Sequence, residues 1–223
     1  YLLCEKVFSL NARLIIYHVL KKCKHFFKKN LFFLLPTILP FIFRPPKPIP
    51  EEILNVQDAY LQAMLEEKGI VSLSGMTPLQ QGIYLWKEDI TRISSDDIVN
   101  PANSTMLGCF IPCHGCINNA IHSAAGIQLR LECSRIMEQQ AKPETAGRAK
   151  ITAAYNLPCR YILHTVGPLK CRKVSEKDCR LLASSHRSCL EIATARHLKS
   201  IAFCCISKGE FHFPSERAAE IAI

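Results

Sequence analysis

Asp97-Ile98-Val99-Asn100-Pro101-Ala102-Asn103-Ser104 sets a short apolar, β-branched run against an abrupt series of small and polar turn formers. The first four residues read as a strand, and the rest as a loop leaving its carboxyl end. Further strands are expected at Ile83-Tyr84-Leu85-Trp86, at Tyr161-Ile162-Leu163-His164-Thr165-Val166 and at Ile201-Ala202-Phe203-Cys204-Cys205-Ile206. Helical patterns lie between and after them. One covers 118–140, with Ile121, Ala124, Ala125, Leu129, Ile136 and Met137 near one face; a second covers 177–196; a third starts at Pro214. Strands alternating with helices predict an α/β fold whose sheet is covered on both faces. Ligands of such sheets bind beyond the carboxyl ends of the strands.

The chain has 223 residues, 48% of them hydrophobic and only 9 of them glycine. That suffices for one sizeable core and excludes disordered and collagen-like classes. The formal charge of +9 is uneven: residues 1–50 carry net +8 and residues 51–223 net +1. A near-neutral body lacks the basic face that nucleic acid requires, so no nucleic-acid partner is expected. Twelve cysteines in a chain this long and core-rich read as buried thiols of a reduced, cytoplasmic protein rather than a secreted disulfide scaffold. The apolar stretch 31–43 is interrupted by Pro36 and Pro40 and falls short of the roughly 20 residues of a membrane span.

Three segments follow from these shifts in texture. Residues 1–43 read as a hydrophobic, basic helical segment, with Lys21, Lys22, Lys24, Lys28 and Lys29 beside Phe26 and Phe27. Residues 44–81 comprise the extended linker Arg44-Pro45-Pro46-Lys47-Pro48-Ile49-Pro50 and an accessory helix over 51–68 closed by Gly69. The body occupies 82–223.

Two loops carry candidate chemistry. Ser207-Lys208-Gly209-Glu210-Phe211-His212-Phe213-Pro214 leads from a strand into a helix, an arrangement that offers backbone N–H groups to phosphate. Cys109-Phe110-Ile111-Pro112-Cys113-His114-Gly115-Cys116 places four soft ligands within eight positions. An open zinc site, a redox Cys113-x-x-Cys116 pair and a plain cluster of buried thiols all fit that spacing.

Read in order, Trp86–Ile93, Asp97–Ser104, Ala120–Gly126, Ala146–Thr152, Ile162–Pro168 and the 207–214 loop resemble a macrodomain. The segment from Leu107 to Cys116 resembles the zinc-dependent branch of that family, the bacterial and fungal protein-ADP-ribose hydrolases. The resemblance spans about 44–223. It implies a mixed sheet sandwiched between helices, with an N-terminal helical extension, and ADP-ribose or an ADP-ribosylated protein as ligand.

It also implies residue roles. Asp89 accepts from the adenine amino group, beside the Ile90 backbone, and Asn103 holds the distal ribose. Ser207, Lys208, Gly209, Glu210 and Phe211 wrap the diphosphate. Cys109, His114 and Cys116 hold Zn2+, leaving Cys113 a bystander. The implied reaction is hydrolysis of ADP-ribose from Asp or Glu side chains, with Asn103 and Asn118 in the catalytic centre. Partners implied are a sirtuin-type transferase and the lipoylated carrier protein it modifies.

Departures from the family pattern open alternatives. Asn118 stands where an Asp is usual, and an amide is not a general base, so a non-catalytic ADP-ribose reader is the first alternative. A thiol–disulfide oxidoreductase using Cys113 and Cys116 is the second. Lys208 replaces a small Thr, and Glu88 a Gly. The family continues beyond Ile223 with a further strand and helix, so a C-terminally truncated sheet with an open edge is expected. His122 and His164 are assigned structural roles.

Overall fold

A computed structural model describes residues 13–17 (as backbone), 45–111, 114–169, 174–209 and 211–222. Among the described residues the elements in chain order begin with strand β1 (Arg13–Tyr17), helix α1 (Glu51–Lys68) and strands β2 (Val71–Ser72), β3 (Pro78–Gln80) and β4 (Ile83–Trp86). Strands β5 (Ile93–Ser94) and β6 (Asp97–Pro101) follow, then helices α2 (Ile117–Ala125) and α3 (Ile127–Gln140). The chain continues through β7 (Ala149–Ala153), β8 (Tyr161–Thr165), α4 (Glu176–Ala195), β9 (Ser200–Phe203) and α5 (Ser215–Ala222).

The main sheet has the order β3-β4-β1-β9-β6-β8-β7. Its central pairs run parallel, and the outer pairs β3–β4 and β7–β8 antiparallel, so the sheet is mixed. Successive strand residues point to opposite faces. Ile98 and Val99 on β6, and Ile162 and Leu163 on β8, are all fully buried, so both faces are covered. Each such side chain contributes about 1.5–3 kcal/mol on burial. Ile121, Leu129 and Leu182 bring the helices into the same core.

The helical segment expected over 1–43 lies outside the described residues except at 13–17, which form a strand instead, Leu14-Ile15-Ile16-Tyr17 being a run of residues that favour pleated backbone. β1 lies between β4 and β9 and pairs in parallel with both, and the edges of the sheet are β3 and β7.

The helix expected over 118–140 is two helices, broken at Gly126, which has φ +96°. A Cβ there would come within 2.7 Å of the Gln57 and Gln128 amides, so neither a side chain nor a continuous helix fits. α1 docks on this break. Gln57 Oε1 accepts from the Ile127 N–H at 3.0 Å, and its Nε2 donates to Gln128 at 2.8 Å. Asp58 accepts from Gln128 at 2.8 Å and from Asn156 at 2.7 Å. The small parallel pair β2–β5 fastens the next stretch to the body.

Candidate active site

β4, β6, β8 and β9 all run in one direction through the ladder, so the loops after their carboxyl ends share one edge of the sheet. That edge gathers Asp89 after β4, the 102–116 loop after β6, Val166-Gly167-Pro168 after β8 and the 204–214 loop after β9.

Asp89 opens a short 3-10 turn. Its Oδ1 accepts from the Thr91 N–H at 3.0 Å and from the Thr91 hydroxyl at 2.6 Å, and Lys68 Nζ of α1 lies 3.8 Å from Oδ2. Ile90 beside it is fully buried. The carboxylate is thus held in place by two partners on one oxygen, with the other facing a cation.

Asn103 is half-buried and pins its own loop. Its Nδ2 donates to the Gly108 carbonyl at 2.9 Å, and its Oδ1 accepts from Thr105 at 2.8 Å. This fixes the backbone next to Cys109. An amide has a second N–H, which these contacts do not use.

The ligand atoms of Cys109, His114 and Cys116 lie within 4.8 Å of one another. Cys109 Sγ is 3.2 Å from His114 Nδ1. Cys116 is the N-cap of α2, its Sγ accepting from the Asn119 N–H at 3.4 Å, while Asn119 Nδ2 donates to the His114 carbonyl at 3.1 Å. Burial pushes the Cys116 thiol up to about 12, and the facing Cys109 adds to this against the lowering effect of the Asn119 N–H. Two sulfurs and an imidazole nitrogen suit zinc, and three protein ligands leave a fourth position for water or substrate. Cys113 lies outside the described residues.

Asn118, in the first turn of α2, is buried. Its Oδ1 accepts from Asn100 Nδ2 at 3.0 Å, and the same Nδ2 lies 3.0 Å from His164 Nδ1. His164 and His122 are both buried. Burial holds His164 down at about 3 and His122 well below the ordinary histidine range, with His164 and Arg130 adding to the effect on His122.

Ser207 adopts a left-handed conformation at φ +61°, is buried, and its Oγ is without a partner among the described residues. A non-glycine residue held there is strained backbone of the kind that gathers at functional sites. The loop folds on itself, with the Phe213 N–H donating to the Ser207 carbonyl at 2.9 Å and the His212 N–H to the Gly209 carbonyl at 3.1 Å. Gly167 lies directly against it: a Cβ at 167 would collide with Ser207 Oγ and come within 2.7 Å of Ile206. Lys208 and Phe211 are half-buried, and Gly209 is exposed. Glu210 lies outside the described residues.

Sequence reasoning passed over Asn100, Asn119 and Arg130. Arg130 was legible in part, since helical spacing puts it on the same side of α3 as Leu129 and Cys133; its guanidinium stacks 4.6 Å from the centre of the Phe110 ring. Asn119 carried only the weak signal of an Asn in a first helical turn. Asn100 sits in a strand and had none.

A mixed sheet between helices, with a loop cradle at its carboxyl edge, is the architecture of a macrodomain. The chain belongs to the macro domain family, whose model matches residues 99–222. Within it, the chain stands among relatives named Protein-ADP-ribose hydrolase. The one from Treponema medium is 50% identical over 184 residues, 81% of this chain and 70% of that protein. The one from Staphylococcus aureus (strain MRSA252) is 47% identical over 182 residues, 81% of this chain and 68% of that protein. Among solved structures, a Trypanosoma brucei macrodomain in complex with ADP-ribose matches with a TM-score of 0.62 at 28% identity, covering 84% of this chain and 80% of that one. An Oceanobacillus iheyensis macrodomain mutant with ADP-ribose matches at 36% identity and a TM-score of 0.56, covering 60% and 70%. No helix among the described residues is long and apolar enough to cross a membrane.

Proposed function

We propose that the protein hydrolyses the bond between ADP-ribose and an Asp or Glu side chain of a modified protein, using Zn2+ held by Cys109, His114 and Cys116. The observation that carries this is the convergence of those three ligand atoms within 4.8 Å on the edge that also bears the Ser207 loop. Bound there, Zn2+ would supply Lewis acidity to the sugar–carboxylate bond.

The chain's own groups bind and orient. Asp89 accepts from the adenine amino group with the lone pairs that Thr91 leaves over, and the Ile90 backbone flanks it. The orphaned Ser207 Oγ and the backbone N–H groups of 207–211 take diphosphate oxygens, and Lys208 adds a positive charge. Phe211 walls the sugar. Asn103 gives its second amide hydrogen to a ribose hydroxyl while the first keeps the Cys109 loop in register. Asn118, held by Asn100, orients the sugar and takes no proton, because a carboxamide has no basic site at neutral pH.

The test is release of ADP-ribose from an Asp/Glu-modified protein as purified, after chelation, and after zinc is restored. A lipoylated carrier protein serves as one substrate arm. Release that is lost on chelation and regained with zinc is expected. Cys116→Ala should lower turnover roughly a hundredfold or more while ADP-ribose affinity changes less than about tenfold. Unchanged release from Cys116→Ala in zinc-free buffer overturns the mechanism. Asn118 favours one second reading, a non-catalytic ADP-ribose reader, which tight binding without release under any condition would select.

A further inference from the structure

We propose that His122, Cys133 and His164 form a second, fully enclosed site for a thiophilic closed-shell cation, Zn2+ or Cu+, separate from Cys109, His114 and Cys116. The three come from three elements, α2, α3 and β8, and all are buried. Their ligand atoms lie within 4.8 Å of one another. Cys133 Sγ is 3.9 Å from His164 Nε2, and the two imidazole centroids are 6.0 Å apart with the rings tilted by 56°. Bond lengths of about 2.0 Å to nitrogen and 2.3 Å to sulfur put the N and S ligands of a tetrahedral centre roughly 3.5 Å apart. The Cys133–His164 pair therefore needs to close by only a few tenths of an ångström.

A second observation points to a missing occupant. His122 is 4% exposed, and neither of its ring nitrogens has a hydrogen-bond partner among the described residues. Buried polar side chains are normally satisfied, and an orphaned imidazole is a standing cost that one metal bond would remove. The surroundings already orient the other imidazole. Asn100 sits 3.0 Å from His164 Nδ1, which leaves Nε2 facing Cys133 and Thr152 Oγ1, the latter at 2.9 Å. With Nε2 on a metal, Nδ1 carries the hydrogen. Turning the Asn100 and Asn118 amides together then lets Asn100 Oδ1, unpartnered in its present orientation, accept from both His164 Nδ1 and Asn118 Nδ2, so that Asn118 stays anchored. Thr152 offers a fourth, weaker ligand.

Binding forms one metal–sulfur and two metal–nitrogen bonds and releases one proton, from Cys133 Sγ. With a single thiolate, Cu+ leaves the centre neutral, whereas Zn2+ leaves one positive charge near Arg130. Soft thiolate and imidazole donors suit either ion.

The test uses the full chain as Cys109→Ala/Cys116→Ala, which removes the open site and leaves the buried trio intact. The variant is expressed with zinc or with copper and washed with chelator, and its metal is counted by mass spectrometry. One ion per chain is expected, retained by folded protein, released on unfolding, and lost on adding Cys133→Ser. X-ray absorption of the double variant is expected to show one sulfur and two nitrogen ligands, which keeps the proposal testable if Cys133→Ser does not fold. A natively folded double variant with no metal overturns the proposal, as does metal retained by a folded Cys133→Ser chain. The two sites fail separately: wild type with one ion and the double variant with none keeps only the open site, whereas equal counts in both keep only the buried one.

Discussion

Asn118 shows how much one atom decides. Its Oδ1 already accepts from Asn100 Nδ2, and a carboxylate would accept the same bond, so Asn118→Asp keeps the anchor and adds a base. Single-turnover release of ADP-ribose is expected to rise about tenfold to a hundredfold; no change would mean that this position takes no part in the chemistry. Asp97, at the start of β6, is an opposite case, a carboxyl serving no site. It is fully buried, and both its oxygens lack partners among the described residues. Burial first, and the Asp96 carboxylate second, push it up to about 8. A carboxyl raised in the fold keeps its full contribution to stability below the ordinary value of 3.8. It loses that contribution as pH climbs to about 8, because the unfolded chain ionises first. The wild-type unfolding temperature should therefore fall between pH 5 and pH 8 by more than that of Asp97→Asn, with a slope of up to about 1.4 kcal/mol per pH unit. Parallel pH profiles for the two chains would refute this.

The elements bearing the site depend on how α1 seats on the α2–α3 break. Gln57 bridges that junction by serving the Ile127 N–H and Gln128 at once. Gln57→Ala leaves a buried N–H unserved and should cost about 1–3 kcal/mol in denaturant unfolding. Amide exchange should quicken first at Ile127, and a loss under about 0.5 kcal/mol would show that α1 is only loosely seated. Much of this level was legible. The 3.6-residue pattern and Gly69 located α1 and its end, and the β-branched runs located β4, β6, β8 and β9. The break at Gly126 was not, since a lone glycine inside an apolar pattern does not reveal that two amides occupy the space of its Cβ.

At the scale of the whole molecule the sheet depends on β1, which lies between β4 and β9 and pairs with both. Ile15, at the middle of that strand, aligns with Tyr84 and Ala202. Ile15→Pro removes a ladder N–H from an interior strand and should cost at least about 1–3 kcal/mol, read as a lower unfolding temperature and binding of a hydrophobic dye. An unchanged melting curve would show that the sheet holds without β1. By itself the sequence determined the α/β class, because local periodicity carries that information; the Cys109–His114–Cys116 set was implied only by the family resemblance, since the spacing alone suits a redox pair or buried thiols equally. Only the tertiary structure decided that 13–17 complete the sheet, that Asn100 holds Asn118, and that His122, Cys133 and His164 meet. Such contacts join residues 11 to about 190 positions apart, and strand register and helix packing, which no local pattern encodes, bring them together.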